Sequence, residues 1–175
     1  MGGKSSRMKR DKALLNYNGN LLHNLAAAKL KPYCKRVLFS INEDQQVYSL
    51  QNTVLDEHSN QGPLSGIVSS LFFTKSPILA LAVDVPKIST KTIEKLILER
   101  DKSRLVTAYY NSNKQKWEGL VSIWEAECLK PLSNFFDDRG RSVQEFLNSI
   151  NAKQVEVDNQ NEFTNVNTAK EYNQL

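Results

Sequence analysis

Two glycines followed by a run of hydroxyl and basic residues, GGKSSRMKRDK from Gly2 to Lys12, form the stretch of this sequence best suited to hold phosphate. Glycine backbone N–H groups can approach phosphate oxygens closely because no side chain intervenes. Lys12 is a compact point charge, and the planar fork of Arg7 can grip two oxygens at once. Lys9 and Arg10 read equally well as the solvated part of a basic loop. The second chemical resource is carboxylate. Asp56 and Asp84 each close an apolar run, where α/β sheets display their ligands. A carboxylate at Asp84 suits Mg²⁺, which takes one or two such groups and fills its shell with phosphate oxygens and water. On the residues alone Asp84 serves equally well as a turn cap ahead of Pro86.

Other chemistries have little to work with. Cys34 and Cys128 stand far apart, and with only His23 and His58 beside them they do not spell a structural zinc site. The same two histidines suggest no Ser-His-Asp arrangement. Much of the basic excess of a chain with net charge +4 sits in the first twelve positions, and that short cluster lacks the interleaved aromatics of a nucleic-acid surface. The polar RMKRDK replaces the apolar core of a signal peptide, and the run Ile78 to Val83 is far too short to span a bilayer. A soluble, cytoplasmic protein with reduced thiols is expected.

The elements that must position these residues alternate. KRVLFSI near Ile41 and NTVL, ending at Asp56, read as strands. After the turn GPLSG, Ile67, Leu71, Phe72 and Phe73 recur at helical spacing. SPILALAVD reads as a strand buried on both faces, and STKTIEKLILERD as a helix capped by Ser89 with Ile93, Leu96 and Ile97 on one side. RLVTAYY, EGLVSIW and KQVEV are further strands. Ser142 with Glu145, and Thr168 with Glu171, form capping boxes ahead of two more helices, the second ending at Leu175. At 175 residues, 40% of them apolar, the chain reads as a single α/β domain, residues 1–175, with a mostly parallel sheet covered by helices on both faces.

The opening GGKS also imitates the end of a Walker A loop, with ILALAVD as its metal-binding strand. That reading requires a helix to start at Lys4, whereas SSRMKRDK strings polar residues as an irregular loop would. A different resemblance accounts for more of the chain. GGKSSRMKRDKALL, LDEHSNQGPLSGI, AVDVP, GRSVQEFL and FTNVNTAKEY resemble, in order and spacing, the motifs of the molybdenum cofactor guanylyltransferases, within the wider nucleotidyltransferase superfamily.

The resemblance implies a Rossmann-like three-layer sandwich and transfer of GMP from GTP to molybdopterin, with or without bound molybdenum, releasing pyrophosphate. It implies Mg²⁺ as cofactor, Asp84 as its ligand, and Lys12, Arg7 and Asp84 as the catalytic set. Gly2 and Gly3 would cradle phosphate, Ser40 and Asp56 would stand beside the nucleotide, and Gly62, Pro63 and Gly66 would turn the backbone toward base or ribose. Asn165 and Asn167 match the pair on the pterin side, with local turn capping as the bland alternative. Molybdoenzyme chaperones are candidate downstream partners; nucleic acid and membrane are not expected. Lys9 stands where the family usually has Gly, and Glu118-Gly119 where a proline-bearing turn is usual. The family's sheet also begins with an apolar strand leading into the glycine loop, so the first strand is expected to be missing from this sequence. Two alternatives stay open: a CTP-dependent cytidylyltransferase, and a non-catalytic nucleotide- or pterin-binding homologue truncated at its N-terminus.

Overall fold

The computed structural model describes residues 15–17, 19–48, 50–56 and 62–165. A small antiparallel hairpin, β1 (Asn16–Tyr17) and β2 (Asn20–Leu21), leads directly into α1 (Leu22–Leu30). Then come β3 (Phe39–Ile41), β4 (Thr53–Leu55), α2 (Pro63–Thr74), β5 (Ile78–Leu81), α3 (Thr90–Leu98), β6 (Val106–Asn111) and β7 (Lys116–Trp124). The chain continues through α4 (Leu129–Asp137), α5 (Val143–Ser149), β8 (Lys153–Glu156) and a 3₁₀ turn at Gln160–Phe163.

The alternation expected from the sequence is present, with one difference in strand sense. β3 runs parallel to β4, and β6 parallel to β8, as expected. β7, however, lies between β5 and β6 and runs antiparallel to both, in a four-stranded sheet of order β5-β7-β6-β8. The cause is local: β6 reaches β7 through a tight turn at 112–115, far too short for the crossover that a parallel neighbour needs. Asn111 starts that turn, its Oδ1 accepting from the Lys114 N–H at 3.1 Å. Among the described residues β3 and β4 form a separate pair, and α2 packs against β3, β4 and β5, joining the two sheets.

Side chains alternate across the four-stranded sheet into two cores, giving the three layers expected. On one face Val106, Ala108, Trp117 and Trp124 meet Leu64 and Leu71 of α2, Leu132 and Phe136 of α4, and Phe146 and Leu147 of α5. On the other, Tyr109, Val121, Ile123 and Val155 meet Leu30 of α1, Ile93 and Leu96 of α3, and Phe163.

The two capping serines do what their positions predict: Ser89 Oγ accepts from Thr92 N, and Ser142 Oγ from Glu145 N. The stripe on α2 is narrower than its spacing suggests. Ile67 and Leu71 are buried, whereas Phe72 and Phe73 are exposed, with the Arg36 guanidinium 5.4 Å from the Phe73 ring centre. No helix among the described residues is long and apolar enough to cross a membrane. The second capping box, Thr168 with Glu171, and the helix expected after it lie outside the described residues, as does the glycine loop.

Candidate nucleotide-binding site

The turn GPLSG is built around a conformation only glycine adopts cheaply. Gly62 sits at φ 90°, ψ 178°, and Pro63 then supplies the fixed φ that suits a first helical position. α2 thus begins abruptly, its first N–H groups having no partner within the helix. Ser65, in this first turn, places its hydroxyl 2.5 Å from Asp56 Oδ2 and 2.7 Å from the Gly62 carbonyl oxygen. The contact joins the end of β4 to the start of α2 and orients a buried carboxylate. Asp56 is further fixed by its N–H, which donates to the Ile41 carbonyl at 2.7 Å. Ser65 was not among the residues the motif singled out, although it lies inside that motif.

Ser40 completes this corner. A Cβ placed on Gly66 would come within 2.5 Å of Ser40 Oγ, so a side chain at residue 66 would force the Ser40 hydroxyl to move where α2 lies against β3. Gly66→Ala is accordingly expected to destabilise the fold by about 1–3 kcal/mol through overpacking. Adding Ser40→Ala should recover part of that loss, and denaturant melts of the two single variants and the double variant would show it. The GPLSG turn also meets the GRSVQEFL motif: the Arg141 carbonyl oxygen lies 3.6 Å from where a Gly62 Cβ would stand. Arg141 itself is spoken for, its Nη1 donating to the Gly140 carbonyl at 2.7 Å and its guanidinium carbon lying 3.8 Å from the Phe136 ring centre.

Asp84 stands apart from that corner in sequence, in the turn that follows β5, half-buried, with Val85 and Pro86 buried behind it. The Lys29 ammonium of α1 donates to the Pro86 carbonyl and so pins this turn from the other core. Burial lowers the pKa of Lys29, against the opposing charge of Glu162. Asn165 is exposed and lies just beyond the 3₁₀ turn that buries Phe163. The structure therefore brings Ser40, Asp56, Gly62, Pro63 and Gly66 into one corner, and sets Asp84 and Asn165 on two other turns. Gly2, Gly3, Arg7, Lys12 and Asn167 lie outside the described residues.

The donor set bears on the expected Mg²⁺. No group of three or more His, Cys, Asp or Glu side chains converges among the described residues. Such a donor set does not suit a protein-caged zinc or calcium, whereas a hard cation that brings phosphate and water as its remaining ligands needs only one or two carboxylates. Asp84 fits that role.

The sheet, parallel and antiparallel in part, lies between two helical layers, with a glycine turn opening a helix beside a buried aspartate. The crystal structure of molybdopterin-guanine dinucleotide biosynthesis protein A from Archaeoglobus fulgidus is similar, with a TM-score of 0.81 at 19% identity over 99% of this chain and 92% of that one. The cytidylyltransferase for 2-C-methyl-D-erythritol 4-phosphate from Thermus thermophilus shares the fold at a TM-score of 0.69 and 8% identity, over 93% and 91% of the two chains. Residues 1–155 match the MobA-like NTP transferase domain, and the chain belongs to that family. Among curated relatives, a molybdenum cofactor biosynthesis bifunctional protein of Synechocystis is 29% identical over 99% of this chain, which spans 51% of that protein's length. A molybdenum cofactor guanylyltransferase of Vibrio parahaemolyticus is 26% identical over 99% of this chain and 91% of its own length.

Proposed function

We propose that this chain transfers GMP from GTP to molybdopterin. A terminal phosphate oxygen of the pterin attacks the α-phosphorus of GTP, the bond from that phosphorus to the β-phosphate oxygen breaks, and pyrophosphate leaves. The product is the guanine dinucleotide of the cofactor. The observation that carries this reading is the match of residues 1–155 to an NTP transferase domain, together with a relative named guanylyltransferase that aligns along nearly its whole length.

The division of labour follows from the corner described above and from the motifs. Asp56, oriented by Ser65, and the backbone of Gly62 to Gly66 receive the base and ribose. Gly2, Gly3, Arg7 and Lys12 hold the triphosphate, and Lys12 and Arg7 neutralise charge as it shifts to the leaving pyrophosphate. Mg²⁺, when bound at Asp84, supplies further charge neutralisation on the phosphates. Asn165 and Asn167 would serve the pterin, as their motif implies. The chemistry asks the protein for alignment more than for covalent participation. The reaction takes place in the cytoplasm, and the product passes to molybdoenzyme chaperones.

Nucleotide choice is the direct test. GTP at about a hundredfold excess over its Kd should stabilise the fold by about 2.7 kcal/mol. For a chain of this size that raises the melting temperature by roughly 5–11 °C. CTP should give no comparable rise, and pyrophosphate release should require both GTP and molybdopterin. Protection by CTP with CTP-dependent release would make the chain a cytidylyltransferase; binding of GTP without release would make it a non-catalytic homologue.

A further inference from the structure

The geometry points to Glu162 as a positioning residue, a latch that holds the segment bearing Asn165 against the start of α3, the helix that follows the Asp84 turn. This rests on the proposed reaction, in which those two residues serve opposite substrates. Glu162 lies in the 3₁₀ turn Gln160–Phe163, yet its partners are some 70 residues away in sequence. Its Oε2 accepts from the Ser89 N–H at 2.8 Å and from the Thr92 hydroxyl at 2.5 Å. α3 does not need this carboxylate to begin, because Ser89 Oγ already caps Thr92 N at 3.2 Å. The long-range contact is therefore surplus to helix formation, and its consequence is to tie two chain segments together.

Both segments run directly into candidate site residues. Ser89 follows the Asp84-Val85-Pro86 turn, and Asn165 follows Glu162 by three positions, a span of at most about 10 Å. Lys29 joins the same cluster: its ammonium holds the Pro86 carbonyl, and its charge acts on Glu162. Burial pushes the Glu162 carboxyl up, but hydrogen bonds from Thr92 and Ser89 and the Lys29 charge outweigh it, leaving the group below the usual carboxylate range. The ionised form is thus the one the cluster favours. Next door, Phe163 is buried with its ring 5.0 Å from that of Tyr109, and the Tyr109 hydroxyl donates to the Thr92 carbonyl at 2.8 Å. Phe163 anchors the turn by burial. Glu162 fixes where along α3 the turn sits.

That register matters for group transfer, since displacing one reactant by an ångström can cost about a hundredfold in rate. The test compares Glu162→Ala, Thr92→Val and Thr92→Ser with the wild-type chain in GTP- and molybdopterin-dependent pyrophosphate release, together with amide hydrogen exchange at Thr164 and Asn165. Glu162→Ala and Thr92→Val should raise KM for molybdopterin by about tenfold and leave KM for GTP within about twofold, an asymmetry that general loosening would not produce. Thr92→Ser, which keeps the hydroxyl, should restore the wild-type value. Exchange at Thr164 and Asn165 should quicken in the first two variants only. An unchanged molybdopterin KM in an active Glu162→Ala variant, or equal rises for both substrates, overturns the latch and leaves the proposed reaction standing. A wild-type chain that releases no pyrophosphate defeats the reaction instead; exchange then judges the latch, and unaltered exchange in Glu162→Ala overturns it too.

Discussion

Asp84→Asn is expected to lower GTP-dependent turnover about 10²- to 10³-fold, the usual cost of removing one group that stabilises charge in a transition state. The melting temperature should stay within about 2 °C of wild type, because the substitution preserves side-chain shape at a half-buried turn position. The asymmetry follows from what asparagine keeps and loses. Its carbonyl oxygen can still accept whatever hydrogen bond the turn offers, so the path from β5 through Val85 and Pro86 is undisturbed. The negative charge is gone, and Mg²⁺ holds hard anionic oxygen far better than a neutral amide. The defect should therefore appear first as a higher Mg²⁺ requirement, with turnover partly recovered at high metal concentration. Steady-state rates across a Mg²⁺ titration read this directly. Undiminished turnover at every concentration would remove Asp84 from the reaction.

How far the site could be read from the sequence depended on whether the signal was local. The GPLSG turn was legible because glycine and proline restrict the backbone by themselves, and Gly62 and Gly66 do stand beside Ser40 and Asp56. Helices α3 and α5 were legible because Ser89 and Ser142 announce them. α1 and α4 went unseen for the complementary reason. α1 follows Leu21, and α4 follows a 3₁₀ turn at Ala126–Cys128, and neither start has a capping side chain. Their existence is decided by burial of Leu22, Leu132 and Phe136, a tertiary effect. β7 is the antiparallel exception within a reading that expected a mostly parallel sheet, and the polar run NSNKQ between two strands is the hairpin signal that marks it. Phe72 and Phe73 fit the helical spacing loosely but fall one and two positions past Leu71, off the buried stripe. Ser65 and Glu162 mark the deeper limit. Each earns its place by meeting a residue elsewhere in the chain, and in the case of Glu162 no local pattern hints at partners so remote.

Trp124→Ala should be the most damaging core substitution, and it separates the stability of the sheet from the chemistry at its end. Trp124 is fully buried on β7, where it pairs with Ile78 of β5 and Val106 of β6. Its ring stacks on Phe146 of α5 at 5.9 Å and 13°, and its indole N–H donates to Ser122 Oγ at 2.7 Å. Truncating such a side chain costs about 3–5 kcal/mol, a large part of the 5–15 kcal/mol typical of a whole domain. The melting temperature should fall by roughly 6–20 °C. Trp124→Phe keeps a ring against Phe146 and gives up the N–H donor and some volume, so it should lose much less. The damage enters at Ile78, the first residue of β5, whereas Asp84 lies beyond its last, Leu81, on a turn held independently by Lys29 and by the start of α3. Well below its melting point, Trp124→Ala should therefore retain the wild-type KM for GTP. A KM that rises in step with the lost stability would mean that β5, rather than the contacts around Pro86, sets where the Asp84 carboxylate stands.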